Sequence, residues 1–340
     1  MKKTLTITAL VLLLLAAGLQ LSGHGYIWRA LAGTYLQGHR TAYIDDARNF
    51  DQRIISKGTS YPWQKDARYN QKPLDAATLD YLKQYGSAAF LVAQKGVLVH
   101  EEYFSPYNAQ SLTNSFSMAK TVTTLQTGLA VKQGFISSFD APLTEQIKEY
   151  ANDPRGQKAT IAQLSAMKSG HDWEENYYLP LNMTTDLYFG QNAEALVLSH
   201  GFEREPGSEY EYSSGSTQLL GVFLKRALQA KEPGLTVSEH LSRSLWQPLG
   251  MENDAVYTMD RPAAEGGMER TLTDHIVALS QAIDTVRAAT GQDVHLAGRH
   301  RLHRGHVVGV GGGLVGLDAL EPGPGAVLAL HHPFPEAVAH

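Results

Sequence analysis

The sequence predicts an α/β fold, in which a strand hairpin is followed by helices. Three observations carry that expectation. Two strand-like runs, 87–94 and 97–104, are separated by Lys95-Gly96, the signature of a hairpin. After Ser117, apolar residues at Val122, Leu125, Leu129 and Ala130 or Val131 approximate one helical stripe, which stops at Gly134. After the Pro206-Gly207 turn, Leu219, Leu220, Val222, Phe223 and Leu224 mark a helix that enters a core.

The 340 residues are enough for one large domain or two, and a hydrophobic share of 43 % is ordinary for a globular chain. A net charge of −5 gives no sign of a nucleic-acid partner. There is no cysteine, which excludes disulfides, thiolate chemistry, cysteine–zinc sites and a lipid-modified N-terminal cysteine.

Met1-Lys2-Lys3-Thr4 precedes a mostly apolar run, Leu5 to Leu21, with small residues at Ala16-Ala17-Gly18. A basic start, an apolar stretch and small residues are the pattern of export. Residues 1–23 are expected to be a cleaved signal peptide or an uncleaved anchor through 5–21, since the run is also near the shortest length that spans a bilayer. Either way the bulk of the chain faces the periplasm, free or held at the inner membrane. His24 to Gln71 has no clean period and reads as a strap in which nothing points to chemistry, so 24–75 is set apart as an N-terminal extension. Asp75 to Leu82 is a short helix with Leu79 and Leu82 inward, followed by the hairpin. Asp140 to Leu143 is a loop, Glu145 to Tyr150 a polar helical turn, and Thr160 to Lys168 a helix ended by Ser169-Gly170. His171 to Tyr178 is an aromatic and acidic loop, of a kind that lines pockets as often as it faces solvent. Leu241 to Met251 reads as another helix running into a loop.

Chemistry concentrates at Ser117 and Lys120. On a helix, residues i and i+3 are neighbours, so this hydroxyl and amine can share a hydrogen bond. A serine hydroxyl is a poor nucleophile until an adjacent base takes its proton, and an amine becomes that base when burial or a nearby cation lowers its pKa. Free N–H groups at a helix start also favour the negative charge that develops there. The alternative reading is a helix N-cap beside a surface lysine. Ser165 and Lys168 repeat the spacing, but at the end of a helix, where the lysine simply complements the C-terminus. Tyr212 alone reads as a packed aromatic.

Taken in order, Ser117-Met118-Ala119-Lys120, Thr160-Ile161 through Ser169-Gly170, and Pro206-Gly207 through Tyr212-Ser213-Ser214-Gly215 resemble the serine β-lactamase-like hydrolases. That superfamily includes class C β-lactamases, D-alanyl-D-alanine carboxypeptidases, related esterases and 6-aminohexanoate-dimer hydrolases. The resemblance covers residues 76–270 and implies a β-lactamase/transpeptidase-like fold: a mixed, mainly antiparallel sheet flanked by helices, opening near 87–104 and closing with C-terminal strands, plus an all-helical region over roughly 117–225. It implies that Ser117 is the acylated nucleophile, Lys120 its base and Tyr212 the relay of a proton to the leaving group. Ser214 takes the third position of the second motif, as in the esterase and aminohexanoate-hydrolase branch, and Ser214 and Tyr177 are assigned to substrate contact. The implied activity is hydrolysis of a small ester or amide through an acyl-serine, with neither metal nor organic cofactor. The rivals are an inert, envelope-tethered member of the family and a penicillin-recognising D,D-peptidase or β-lactamase.

Residues 271–340 depart from the pattern. Every lysine, tyrosine and tryptophan lies before this segment, whereas eight of the 14 histidines lie within it. The family's third motif, which would supply half of the oxyanion hole, has one weak candidate in His303-Arg304-Gly305. A metal cluster of His300, His303 and His306 and a divergent but native chain end are the lesser readings. The preferred one is loss of the natural reading frame near 270–275, since the chain is also shorter than the family usually needs.

Overall fold

The structure, a computed structural model, describes residues 2–94, 97–177 and 180–276, together with the strands 306–310 and 325–330. In chain order the elements begin with α1 (Lys2–Leu21), α2 (Tyr26–Gly33), β1 (Gln52–Ile55) and α3 (Ala76–Gln84). Next come β2 (Ala89–Gln94), β3 (Val97–Tyr103), β4 (Thr113–Asn114) and α4 (Ala119–Lys132). A helical stretch follows: α5 (Ile161–Ser165), α6 (Met183–Phe189), α7 (Ala193–Leu198), α8 (Ser214–Lys231) and α9 (Val237–Leu241). The last strands are β5 (Ala255–Met259), β6 (Glu269–Ile276), β7 (His306–Val310) and β8 (Gly325–Leu330).

The strands form two four-stranded sheets, ordered β3-β2-β8-β7 and β1-β5-β6-β4. β2 and β3 are the expected antiparallel pair, with a register shift between Val92 and Ala93; the Lys95-Gly96 turn lies outside the described residues. β8 pairs antiparallel with β2, and β7 runs parallel to β8. The second sheet is antiparallel throughout, and its β4–β6 pairing sets Asn114 opposite His275, just ahead of Ser117. β6 crosses the composition break near 270 without interruption.

α8 is the hub of the core. Leu219, Leu220, Val222, Phe223, Leu224, Ala227 and Leu228 are all buried on it, and they pack with Ile161, Leu164, Leu187, Val197, Trp246 and Tyr257. Every residue from Ser214 to Leu224 is buried, so this part of α8 is an interior helix, and each leucine, valine or phenylalanine on it contributes about 1.5–3 kcal/mol by leaving water. Gly221 lets α8 lie directly on β6: a Cβ there would sit 2.2 Å from Thr271 Oγ1.

The 24–71 stretch is more built than its sequence predicts. α2 packs Tyr26 and Ile27 against Phe189 of α6, and β1 pairs with β5 while burying Ile55 in the main core. Arg53 Nη1 donates to the buried Glu269 Oε1 at 2.7 Å, tying the strap to β6. Eight residues of helix and four of strand are too short to show a period, and tertiary pairing decides them. The expected helix over 241–251 instead starts at Val237, capped by Thr236, and passes into a π-helical turn at Ser242–Trp246. α3 matches its expectation, with Asp75 Oδ1 accepting from the Thr78 N–H at 2.9 Å. α1 carries Ile7, Leu10, Val11, Leu13, Leu14 and Leu15 exposed. Among the described residues no single helix is long and apolar enough to cross a membrane; Thr6–Leu21 with Tyr26–Gln37 meets the criterion as a pair bent by 113°.

Candidate active site

Ser117 sits on a short 3-10 turn, Phe116–Met118, that runs directly into α4. The turn is set by Phe116, whose φ of +46° lies in the left-handed region that a bulky side chain rarely occupies. Asn114 at the end of β4 holds it, its Oδ1 accepting from the Phe116 N–H at 2.8 Å. The Ser117 side chain is exposed, while Lys120, one turn on, is buried at 7 % exposure. Lys120 Nζ donates to Ser117 Oγ at 3.0 Å. α4 is fixed from behind by Thr123 Oγ1 donating to the Thr271 carbonyl at 2.6 Å and by Gln126 Nε2 donating to that of Val237 at 2.7 Å.

Tyr212 reaches the same hydroxyl from far along the chain. A capping box between Thr160 and Gln163 starts α5, and the chain then turns through Met167 (φ +56°) and Gly170 (φ +72°). At Gly170 a Cβ would lie 2.3 Å from the Arg204 carbonyl oxygen, so the two loops touch backbone to backbone. The Gly207 N–H donates to the Lys168 carbonyl at 2.7 Å and the Glu211 N–H to the Met167 carbonyl at 2.8 Å. Ser213 caps α8 by accepting from the Ser216 N–H at 2.9 Å, and the Ser216 and Ser169 hydroxyls are bonded at 2.8 Å. Between these anchors Tyr212 OH donates to Ser117 Oγ at 2.6 Å, and its ring centroid lies 5.1 Å from Lys120 Nζ. The second Ser-x-x-Lys therefore contributes through backbone carbonyls that hold the tyrosine loop; the Lys168 side chain itself is exposed.

Ser214 and Tyr177 meet at a residue the sequence did not single out. The Ser214 N–H and Oγ donate to the two Glu175 oxygens, at 2.7 and 2.6 Å. Trp173 Nε1 donates to Glu175 Oε2 at 3.1 Å, and Tyr177 OH donates to Glu175 Oε1. Ser214 is 1 % exposed, so with both donors turned to Glu175 it braces the aromatic loop against α8 and does not face the cleft. Tyr177 is 49 % exposed and does reach outward; burial of its hydroxyl end and then the Glu175 charge push its phenol well above the ordinary tyrosine range. Gly215 permits this contact, because a Cβ there would fall 2.3 Å from the Trp173 ring. Glu175 left one trace in the sequence, the acidic run among aromatics at 172–178.

A family model described as Beta-lactamase matches residues 74–311. The chain belongs to the beta-lactamase family. Within it, the chain is 25 % identical over 206 residues to the 6-aminohexanoate-dimer hydrolase of Paenarthrobacter ureafaciens, covering 57 % of this chain and 51 % of that one. Among solved structures, a Bacillus anthracis protein described as a 6-aminohexanoate-dimer hydrolase superposes with a TM-score of 0.56 at 21 % identity, over 70 % of this chain and 64 % of that one. A Bacteroides dorei protein described as a β-lactamase gives 0.50 at 16 % identity, over 67 % and 66 %. The chain thus spans about half the length of its curated relative, and the two structural likenesses bear on fold alone. The β-lactamase/transpeptidase-like fold is the one the sequence pattern implied. The third-motif candidate His303-Arg304-Gly305 and the histidines His300 and His303 lie outside the described residues; of His306 the structure gives the backbone, in β7. Among the described residues no group of three or more His, Asp or Glu is arranged to hold a metal ion.

Proposed function

We propose that this beta-lactamase-family chain is an exported serine hydrolase that cleaves a small ester or amide through an acyl intermediate on Ser117. One observation carries the reading: the Lys120 amine and the Tyr212 phenol, which is 95 positions on from Ser117, converge on the exposed Ser117 hydroxyl at 3.0 and 2.6 Å. In its neutral form the Lys120 amine takes the Ser117 proton as Oγ bonds to the substrate carbonyl carbon, and the carbonyl electron pair moves onto oxygen. We assign the Ser117 N–H, at the start of the helical turn, to that oxyanion, a type of contact that lowers barriers by about 3 kcal/mol. Collapse restores the carbonyl and breaks the C–O or C–N bond. Tyr212 gives its phenolic proton to the departing alkoxide or amine and regains one from the Lys120 ammonium. Water then attacks the acyl-serine by the same proton path, releasing the carboxylic acid and freeing Ser117.

Amide or ester chemistry is supported by the curated relative's name as a 6-aminohexanoate-dimer hydrolase and by a serine at position 214. Export, with residues 5–21 as leader or inner-membrane anchor, is supported by Lys2-Lys3 ahead of a helix that leaves Ile7, Leu10, Val11, Leu13, Leu14 and Leu15 exposed. The test is the intact mass of the protein after incubation with a fluorophosphonate, an activated ester and a penicillin. A single adduct that vanishes in Ser117→Ala is expected. Labelling that survives in Ser117→Ala overturns the assignment, no adduct with any probe marks an inert family member, and a long-lived penicilloyl adduct favours a D,D-peptidase.

A further inference from the structure

The strap ahead of the catalytic domain reaches the nucleophile turn through a closed ring of buried polar groups. Asp46, on the 3-10 turn Asp46–Asn49, is 1 % exposed, and Asn114 is 5 % exposed. Asn114 Nδ2 donates to Tyr188 OH at 2.6 Å and to Asp46 Oδ1 at 3.3 Å; Tyr188 OH donates to Asp46 Oδ2 at 2.8 Å. The Tyr43 N–H also donates to Asp46 Oδ2, at 3.3 Å, and the Asn114 N–H donates to the Ile44 carbonyl at 2.5 Å. A carboxylate only accepts, and the Tyr188 hydrogen is already given to it, so the amide nitrogen of Asn114 must face this pair. Its oxygen is then left for the Phe116 N–H, the bond that holds the left-handed turn before Ser117. Such a conformation is disfavoured for a bulky side chain and persists only where its surroundings over-determine it.

We propose that Asp46, Tyr188 and Asn114 are positioning residues for the Ser117 hydroxyl, so that the N-terminal strap is a working part of the hydrolytic site. The proposal rests on Ser117 being the nucleophile. Asp46 fixes the direction of one amide, the amide fixes Phe116, and Phe116 aims the hydroxyl at Lys120 and Tyr212. α6 brings Tyr188 to the ring; its end is held by the fully buried Arg270, whose Nε donates to the Leu187 carbonyl at 3.0 Å and whose Nη2 donates to that of Gly190 at 2.6 Å.

The test compares Asp46→Asn, Asn114→Asp and the reciprocal double variant. Asp46→Asn turns an amide N–H₂ toward donors, and Asn114→Asp sets two carboxylates face to face; the double variant restores one acceptor pair and one amide. Each single variant is expected to lower the maximal rate of fluorophosphonate acylation about tenfold or more, the effect of a barrier raised by about 1.4 kcal/mol, at a nearly unchanged half-saturating concentration. The double variant is expected to recover most of the rate. A second readout does not need hydrolysis: the chain has no cysteine, so Ser117→Cys carries a unique thiol. Lys120 can take the proton of that thiol and pair with the thiolate, so its iodoacetamide alkylation should titrate below the ordinary value of about 8.5, and should shift upward in each single variant. Parent-like alkylation profiles in folded single variants, or loss confined to the thermal midpoint with no recovery in the double variant, overturn the proposal. Failure of the parent to acylate would instead sink the hydrolase reading, with the thiol titration still deciding this one.

Discussion

Ser117 Oγ receives two donors at once, and each can be removed separately. Tyr212→Phe keeps the ring over Lys120 and deletes the proton carrier. It is expected to lower the maximal acylation rate about 10²–10⁴-fold, the usual worth of a positioned acid or base, at nearly constant half-saturation in a burst assay. Glu175 makes a different kind of contribution. Its two oxygens accept from Trp173, Tyr177 and both donors of Ser214, so Glu175→Gln replaces one acceptor by a donor among four donors. An unsatisfied buried group costs about 1–3 kcal/mol, and urea unfolding should show a loss of that size. Ser117, Lys120 and Tyr212 were legible because their chemistry is written in short motifs. Glu175 was not, since a glutamate in an acidic loop looks like a solvated one until Ser214 arrives from 39 residues on.

Among the elements, α8 sets the most demanding contacts. Gly215 accepts the Trp173 ring and Gly221 accepts Thr271, so the helix is pressed into both the aromatic loop and β6. Gly215→Ala is expected to lower stability by about 1–3 kcal/mol, the range for overpacking a core, and thermal melts would register the loss. α4 and α8 were foreseeable because each carries a run of apolar residues at helical spacing, and the hairpin because its strands are adjacent in sequence. β5 and β6 were not read: they pair with each other across the long link 260–268 and a register shift, and their outer partners β1 and β4 lie far along the chain. For the same reason the strap looked inert: Asp46 meets Asn114 across 68 positions and Tyr188 across 142. Pattern within a window carries local structure, and polar pairings across such distances leave no period to find.

For the whole molecule the clearest expectation concerns acid. Burial pushes the imidazoles of His171 and His240 down to about 4, and both side chains are almost wholly enclosed. Between about pH 6.5 and 4 the unfolded chain binds protons that these folded residues refuse, so stability falls as pH falls through that window. At 1.36 kcal/mol per unit, each histidine contributes at most about 3 kcal/mol. Asp186 opposes them: burial raises its carboxyl to about 6, so its contribution is lost as pH rises toward 6 and returns on acidification. Two against one, the thermal midpoint should drop between pH 7 and 4, and His240→Gln should flatten the drop. A further consequence comes from β2 lying between β3 and β8. One rail of its backbone is satisfied by a neighbour a few residues away, the other only when residues 325–330 arrive. During synthesis that rail stays open to any passing strand for most of the chain's emergence, and closure over so long a loop is slow. A product cut short before β8 would keep the hydroxyl, amine and phenol in register yet be removed by aggregation, so its abundance in cells would fall for reasons unconnected with its chemistry.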